Sequence, residues 1–459
     1  LNLPMNNLTP LQLALCAMLL ALLFESASAN DRIDIVVQEP QFIFSAGQPL
    51  ILDREAKLGE HEIDLSLRLR PLLEASNYSK AYEEITAFGG KPSAARHLLA
   101  AQLLSINGDY DAAIRSYQAA IKQMPHLTRA HAGIGTLYLL MQRYEPARQS
   151  LSKAVSLGVN DAETFAQLGY LNHKLSNPWS AITAYQQALM LEPDNAQSQQ
   201  GLLAVLIASG QVSSASALIS EMLKKDPASV ALWQQRANLA LQTQNAERAL
   251  SSLETSIRLG DDNPQNRLAA ALLHMRQENF DRASQLLKRN IDDSEIDPAS
   301  LYPLVIWMIR QNAIDHANSL INAIRGSVLT VPRRQQSLIS EMQGRLATAK
   351  NDSTRAVAFL SKAIDLDPAN GDALVELARL HLSRAEFAQA SLMFERAEMI
   401  GGHVKSAMLG RAQVAIETRD YAEALRLVRK VQGQFPGSYE LDGYIQSLTS
   451  LYSAQKSSL

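Results

Sequence analysis

DYDAAIRSYQAAIKQMP, residues 109–125, places Ala113, Tyr117 and Ala120 at spacings of four and three, so that they share one face of a helix. Pro125 ends that helix, because proline lacks the amide proton and clashes with the preceding turn. The pattern returns. Ala113, Ala147, Ala181, Ala215, Ala249 and Ala283 stand 34 residues apart, Ala317 continues the series, and after an offset of 39 it resumes at Ala356, Ala390 and Ala424. A small residue at this position lets two helices approach closely, so the chain reads as a tandem array of helix pairs.

Taking the alanine as the twentieth position of each unit gives starts at 94, 128, 162, 196, 230, 264, 298, 337, 371 and 405. A less regular unit begins near 62 and is marked by Tyr78, Ala81 and Ile85. The segment 439–455 reads as a lone closing helix, which the end of a solenoid needs to cover its apolar face.

Gly135, Tyr138, Tyr144, Ala147, Leu151 and Ala154 in one unit resemble the tetratricopeptide repeat (TPR) family. Gly169, Ala181, Tyr185, Ala188 and Pro193 carry the same resemblance in the next unit, and Gly344, Ala356, Leu360, Ala363 and Pro368 carry it further on. The resemblance implies an all-α, right-handed superhelical solenoid of about eleven TPR-like helix pairs with a C-terminal capping helix. It also implies that positions 2, 5, 9, 12 and 13 of each unit face a concave groove that holds another protein or peptide segment. On that register the candidate partner-binding residues are Tyr170, His173, Leu272, Met275, Tyr302, Ile306, Ile309, Arg345 and Arg379, with Arg129 and Thr136 at matching places. Leu272, Met275, Tyr302, Ile306 and Ile309 would make the middle of the groove apolar; the alternative, that several of them lie in the core, stays open. Some family members clamp a terminal carboxylate with Asn and Lys from successive units. Asn238 matches one of those places, but Leu268 stands where the lysine would come, which argues against that mode.

Outside the repeats, LQLALCAMLLALLF at 11–24 followed by Ala27-Ser28-Ala29 reads as an export signal spanning 1–29 and cleaved after Ala29. Residues 1–10 contain no Lys or Arg, a departure that keeps an uncleaved membrane anchor as the alternative. Cleavage would remove Cys16, the one cysteine, and with it any disulfide or thiolate chemistry. A non-repeat arm follows at 30–61, with extended-looking segments Ile33-Asp34-Ile35-Val36-Val37 and Phe42-Ile43-Phe44. Two readings of the arm stay open: it lies along the first unit, or it is a tether with a docking strand. The remaining chain divides into an N-terminal array at 62–331, a connector at 332–336, a C-terminal array at 337–438, and a capping helix and tail at 439–459.

Composition narrows the function classes. Forty-three Lys and Arg against 46 Asp and Glu give no electrostatic case for nucleic acid. The nine histidines show no tight metal-ligand spacing, and neither a phosphate-binding loop nor a nucleophile elbow occurs, so no cofactor, metal or catalytic residue is expected. Asp261-Asp262 reads as a solvated loop end, and Trp179, Trp233 and Trp307 as helix packing. The sequence therefore predicts a non-catalytic interaction scaffold or adaptor of the bacterial cell envelope, periplasmic or otherwise exported, without a retained transmembrane helix, working with an envelope assembly complex. Two alternatives stand beside it: a non-catalytic subunit presenting polysaccharide or protein substrate to a separate envelope enzyme, and a self-associating structural spacer.

Overall fold

A computed structural model describes residues 56–292, 298–327, 332–435 and 441–457. The expected export signal, Cys16 and most of the arm lie outside the described residues. Within them the chain is an all-α solenoid of helix pairs ending in a capping helix. The pairs are α1 (Ile63–Glu74) with α2 (Tyr78–Ala87), α3 (Ala94–Ile106) with α4 (Tyr110–Gln123), α5 (Thr128–Leu140) with α6 (Tyr144–Ser156), and α7 (Ala162–Lys174) with α8 (Pro178–Leu191). Next come α9 (Ala196–Ala208) with α10 (Val212–Lys225), α11 (Val230–Gln242) with α12 (Ala246–Arg258), α13 (Pro264–Arg276) with α14 (Phe280–Asp292), and α15 (Pro298–Arg310) with α16 (Ile314–Ser327). The last are α17 (Arg333–Ala349) with α18 (Ser353–Leu366), α19 (Gly371–Ser383) with α20 (Phe387–Glu398), and α21 (Val404–Glu417) with α22 (Tyr421–Gln434), followed by α23 (Asp442–Ser457).

The helices start where the local chemistry tells them to. Asp109, Asp161 and Asn245 cap α4, α7 and α12, accepting the amides of Ala112, Thr164 and Arg248 at 3.1, 2.7 and 3.0 Å. Between the two helices of every unit the fifteenth position has positive φ. Glycine serves at Gly108 and Gly210, but elsewhere the place is held by residues such as Gln142, Ser176, Ala385 and Arg419, with φ between 57 and 62°.

The repeat alanines do what their spacing requires: Ala113, Ala147, Ala181, Ala215, Ala249, Ala283, Ala317, Ala356, Ala390 and Ala424 are fully buried. Glycine supplies the same closeness from the facing helix. A Cβ on Gly169 would meet the Tyr185 ring at 2.8 Å and one on Gly201 would meet it at 2.4–2.6 Å, so that ring is held between two helices that only glycine lets this near.

Chain packing divides the molecule into two compact units, with the division between Pro227 and Ala228. The sequence reads residues 332–336 as a connector between two arrays. There α17 already begins at Arg333, so the inserted residues lengthen the first helix of their unit to 17 residues. A single apolar core runs through this region, joining Leu301, Val305, Ile324, Ile339 and Met342. At the C-terminal end Leu448 of α23 is fully buried beside Val428 and Val431 of α22, which closes the array.

Glu254 and Asp261 are each tied to several partners. Arg282 grips Glu254 with Nε to Oε1 and Nη2 to Oε2, both at 2.8 Å, and His274 Nε2 lies 2.8 Å from the same Oε1. These bonds, the Arg282 pair foremost, hold the Glu254 carboxyl below its ordinary value and raise the Arg282 guanidinium. Asp261, read as a solvated loop end, is instead buried and accepts from Ser256 Oγ, the Asn263 amide and Asn266 Nδ2 at 3.0, 3.0 and 2.7 Å.

Candidate partner-binding groove

In the unit that follows Ala228, the expected apolar groove is corrected. Leu272 and Met275 are fully buried and Ile306 is 4% exposed, all within one core cluster, so they offer a partner no surface. The reason is visible in α13, whose segment Arg267–Met275 is buried all round and so is covered on both sides. Tyr302 and Ile309 are half-buried against the same cluster.

Tyr302, Arg345 and Arg379 do come together, but in a polar network that the chain itself largely fills. The Tyr302 hydroxyl donates to Glu341, and Arg345 Nε donates to the same carboxylate at 2.8 Å. Arg345 also reaches Glu376 and Asp372 at 3.2 Å each, while Arg379 donates to Glu376 at 2.8 Å. Asn370 Nδ2 satisfies the second Glu341 oxygen at 3.1 Å. Burial pushes the Glu341 carboxyl up against the opposing pull of Arg345, and burial likewise raises the Tyr302 hydroxyl. Tyr302 on α15 and charged residues on α17 and α19 thus cross-link three successive first helices, and Asp372 is the member most open to solvent.

In the unit that precedes Ala228, the first helices of three repeats enclose a cleft of about 220 Å³. Gln102 of α3, Arg129 and Thr136 of α5, and Glu163 and Gln167 of α7 line it. Thr136 Oγ1 donates to Gln167 Oε1 and Gln167 Nε2 donates to Glu163 Oε1, each at 3.1 Å, so the wall of the cleft is pre-ordered. Its floor is Tyr117 and Gly133, packed so closely that a Cβ on Gly133 would come within 2.5 Å of the tyrosine ring. Burial raises the Tyr117 hydroxyl to about 12, so it stays a neutral hydrogen-bonding group. Both charge signs and several amide and hydroxyl groups therefore face one concavity, a chemistry suited to a peptide main chain with mixed side chains.

Tyr170 and His173 are half-buried on the same α7. Tyr170 packs edge-on to Tyr144 with centroids 6.4 Å apart, and Lys174 Nζ lies 5.4 Å from its ring centre. The groove register had pointed to Arg129 and Thr136; Gln102, at the same ninth position one unit earlier, and Asp372, at the second position of its unit, were legible there, whereas Gln167 and Glu376, each at a sixth position, sit outside that register and were missed. Trp233 and Trp307 do pack, against Arg236 at 5.0 Å and Phe280 at 6.0 Å. Trp179 does not: it is 71% exposed on α8. Among the described residues there is no group of three or more His, Cys, Asp or Glu able to hold a metal, and no helix long and apolar enough to cross a membrane.

Comparison with known proteins agrees with this architecture. A family model described as tetratricopeptide repeat matches residues 104–168, 177–239 and 347–408, and a second model of the same description matches 235–300. Together they cover more than half of the chain. The chain is 24% identical over 357 residues to cellulose synthase operon protein C of Pseudomonas fluorescens, covering 66% of this chain and 27% of that protein. It is 27% identical over 154 residues to the tetratricopeptide repeat-containing protein trd-1 of Caenorhabditis elegans, covering 33% of this chain and 20% of that one. The chain thus spans about a quarter of these relatives' lengths. Among solved structures, YrrB, a TPR protein described as having an unusual peptide-binding site, is 22% identical with a TM-score of 0.36, over 44% of this chain and 97% of YrrB. A tetratricopeptide repeat protein from Parabacteroides merdae is 15% identical with a TM-score of 0.36, over 55% of this chain and all of the other.

Proposed function

Because the chain belongs to the tetratricopeptide repeat family, we propose that this non-catalytic interaction module acts as a scaffold in a bacterial cell envelope and holds an extended segment of a partner protein across α3, α5 and α7. The observation that carries the choice of site is the pre-ordered polar cleft between Gln102, Thr136 and Gln167. Its groups match the donors and acceptors of a main chain, and the Thr136–Gln167–Glu163 chain of bonds lowers the ordering cost on binding. The envelope location rests on the sequence at 11–29.

The test is affinity capture of the natively expressed, tagged chain from fractionated cells, beside a Gln102→Lys/Thr136→Arg variant. We expect one defined exported protein with the wild type and at least a tenfold loss with the variant, as 1.4 kcal/mol or more of lost binding would give, at unchanged helicity and melting temperature. Equal capture by both would remove the cleft from the account. A second reading, presentation of polysaccharide or protein substrate to a separate envelope enzyme, is favoured by the similarity to cellulose synthase operon protein C. Co-purification of an enzyme whose substrate crosslinks to the cleft would select it.

A further inference from the structure

The first repeat has an apolar face that the following repeats do not leave open. In the interior units, position 6 of the first helix faces the preceding unit, and position 10, four residues on, lies on the same side of the helix. Position 6 is Gly133, whose missing Cβ faces Tyr117, and Gly201, whose missing Cβ faces Tyr185, each ring belonging to the unit before. Leu99 and Gln167, also at position 6, are buried, and Leu103, Leu137 and Leu171 at position 10 are buried. In the first unit the same two positions are Leu67 and Pro71, and with Ile63 they form one stripe of α1 at spacings of four. Leu67 is 67% and Ile63 56% exposed, although Leu65 and Leu69 on the other side of the same helix are fully buried. Among the described residues no repeat precedes them to cover the stripe.

We propose that residues 33–44 lie along Ile63, Leu67 and Pro71 and cap the first repeat. The chain upstream of α1 is already held on the molecule. Ala56 and Tyr82 are both partly buried against the cluster containing Leu98, and fully buried Glu62 accepts the amides of Gly59 and Ser93 at 3.0 Å each, fixing the chain's approach to the helix. The eleven residues between Phe44 and Ala56 reach up to about 35–40 Å when extended, enough to return past α1. The segment has the matching pattern. Ile33, Ile35 and Val37 share one side at the extended-chain period, with Asp34, Val36 and Gln38 on the other, a spacing of about 6.6 Å against about 6 Å for the stripe on α1. Phe42 and Phe44 continue the apolar edge beyond Pro40.

The test uses the full chain with Cys16→Ser, which leaves no native thiol. An Ile35→Cys/Leu67→Cys pair and a reference pair Ile35→Cys/Lys80→Cys, the latter at an exposed site on α2 of the same repeat and so at a comparable tether length, are treated with a short bismaleimide. A docked segment gives intrachain crosslinking of the first pair at least about tenfold faster than the second, because its effective concentration is set by contact and not by the tether alone. Equal rates, or crosslinks only between two chains, would overturn the proposal, the second outcome in favour of a second copy at this face. A single Leu67→Cys variant gives an independent reading. It should react with maleimide several-fold faster once Ile35→Asp and Val37→Asp are added, and an unchanged rate would count against the cap.

Discussion

Ala385 shows what one residue can carry in this fold. It stands at the fifteenth position of its unit with φ 57°, a left-handed conformation that costs a side-chain-bearing residue roughly 1–2 kcal/mol. Ala385→Gly removes that strain and loosens the unfolded chain, so we expect a net gain of about 0.5–1 kcal/mol in urea unfolding. Glu254 makes the opposite point, since its partners are what it contributes. Its carboxyl is held below the ordinary 4.5, so the unfolded chain binds this proton more tightly than the native one. The stability it contributes is complete above about 4.5 and is lost as pH falls through the lower native value. Glu254→Gln should therefore cost about 1.5–3 kcal/mol at neutral pH, and its melting temperature should approach the wild-type value in acid. A difference that stays constant across that range would show that the Arg282 pairing is not its source. Met275→Asp is a core substitution, not a groove substitution: the side chain is fully buried, and an unpaired carboxylate there should unfold the protein and not merely silence binding.

The helix pairs were readable because their period is enforced by packing at a few places. Ala249 is fully buried where two helices meet, so Ala249→Leu should cost about 1–3 kcal/mol by overpacking, read as a lower unfolding midpoint at unchanged slope. The alanines, glycines and helix-ending prolines repeat, and the first helices begin where that register puts them, at 94, 128, 162, 196, 230, 264, 298 and 371. The site, and two features of the fold, were less legible. A repeat register says which positions face the groove, but not how closely neighbouring units cover them; Leu272 and Ile306 are enclosed because adjacent first helices share one core there. The left-handed fifteenth position was hidden because most units fill it without glycine. The extra residues before α17 look like loop, with Pro332 and two arginines, yet proline tolerates the place just before a helix and Arg333 and Arg334 continue inward as helix.

At the scale of the whole molecule, the same kind of surface has two different fates. In the residues after Ala228, the inner face is spent on internal cross-links, where Arg345 holds Glu341, Asp372 and Glu376 together. In the residues before it, the equivalent face keeps an open polar cleft of about 220 Å³. A partner is therefore expected on the earlier repeats. The most direct measurement is in-cell photo-crosslinking with the photoreactive residue at Thr136, inside the cleft, and in parallel at Gln186, exposed on α8 outside it. One defined partner joined through position 136 and absent from position 186 is the expected result; the same products from both positions, or none from 136, would contradict a partner held in this cleft.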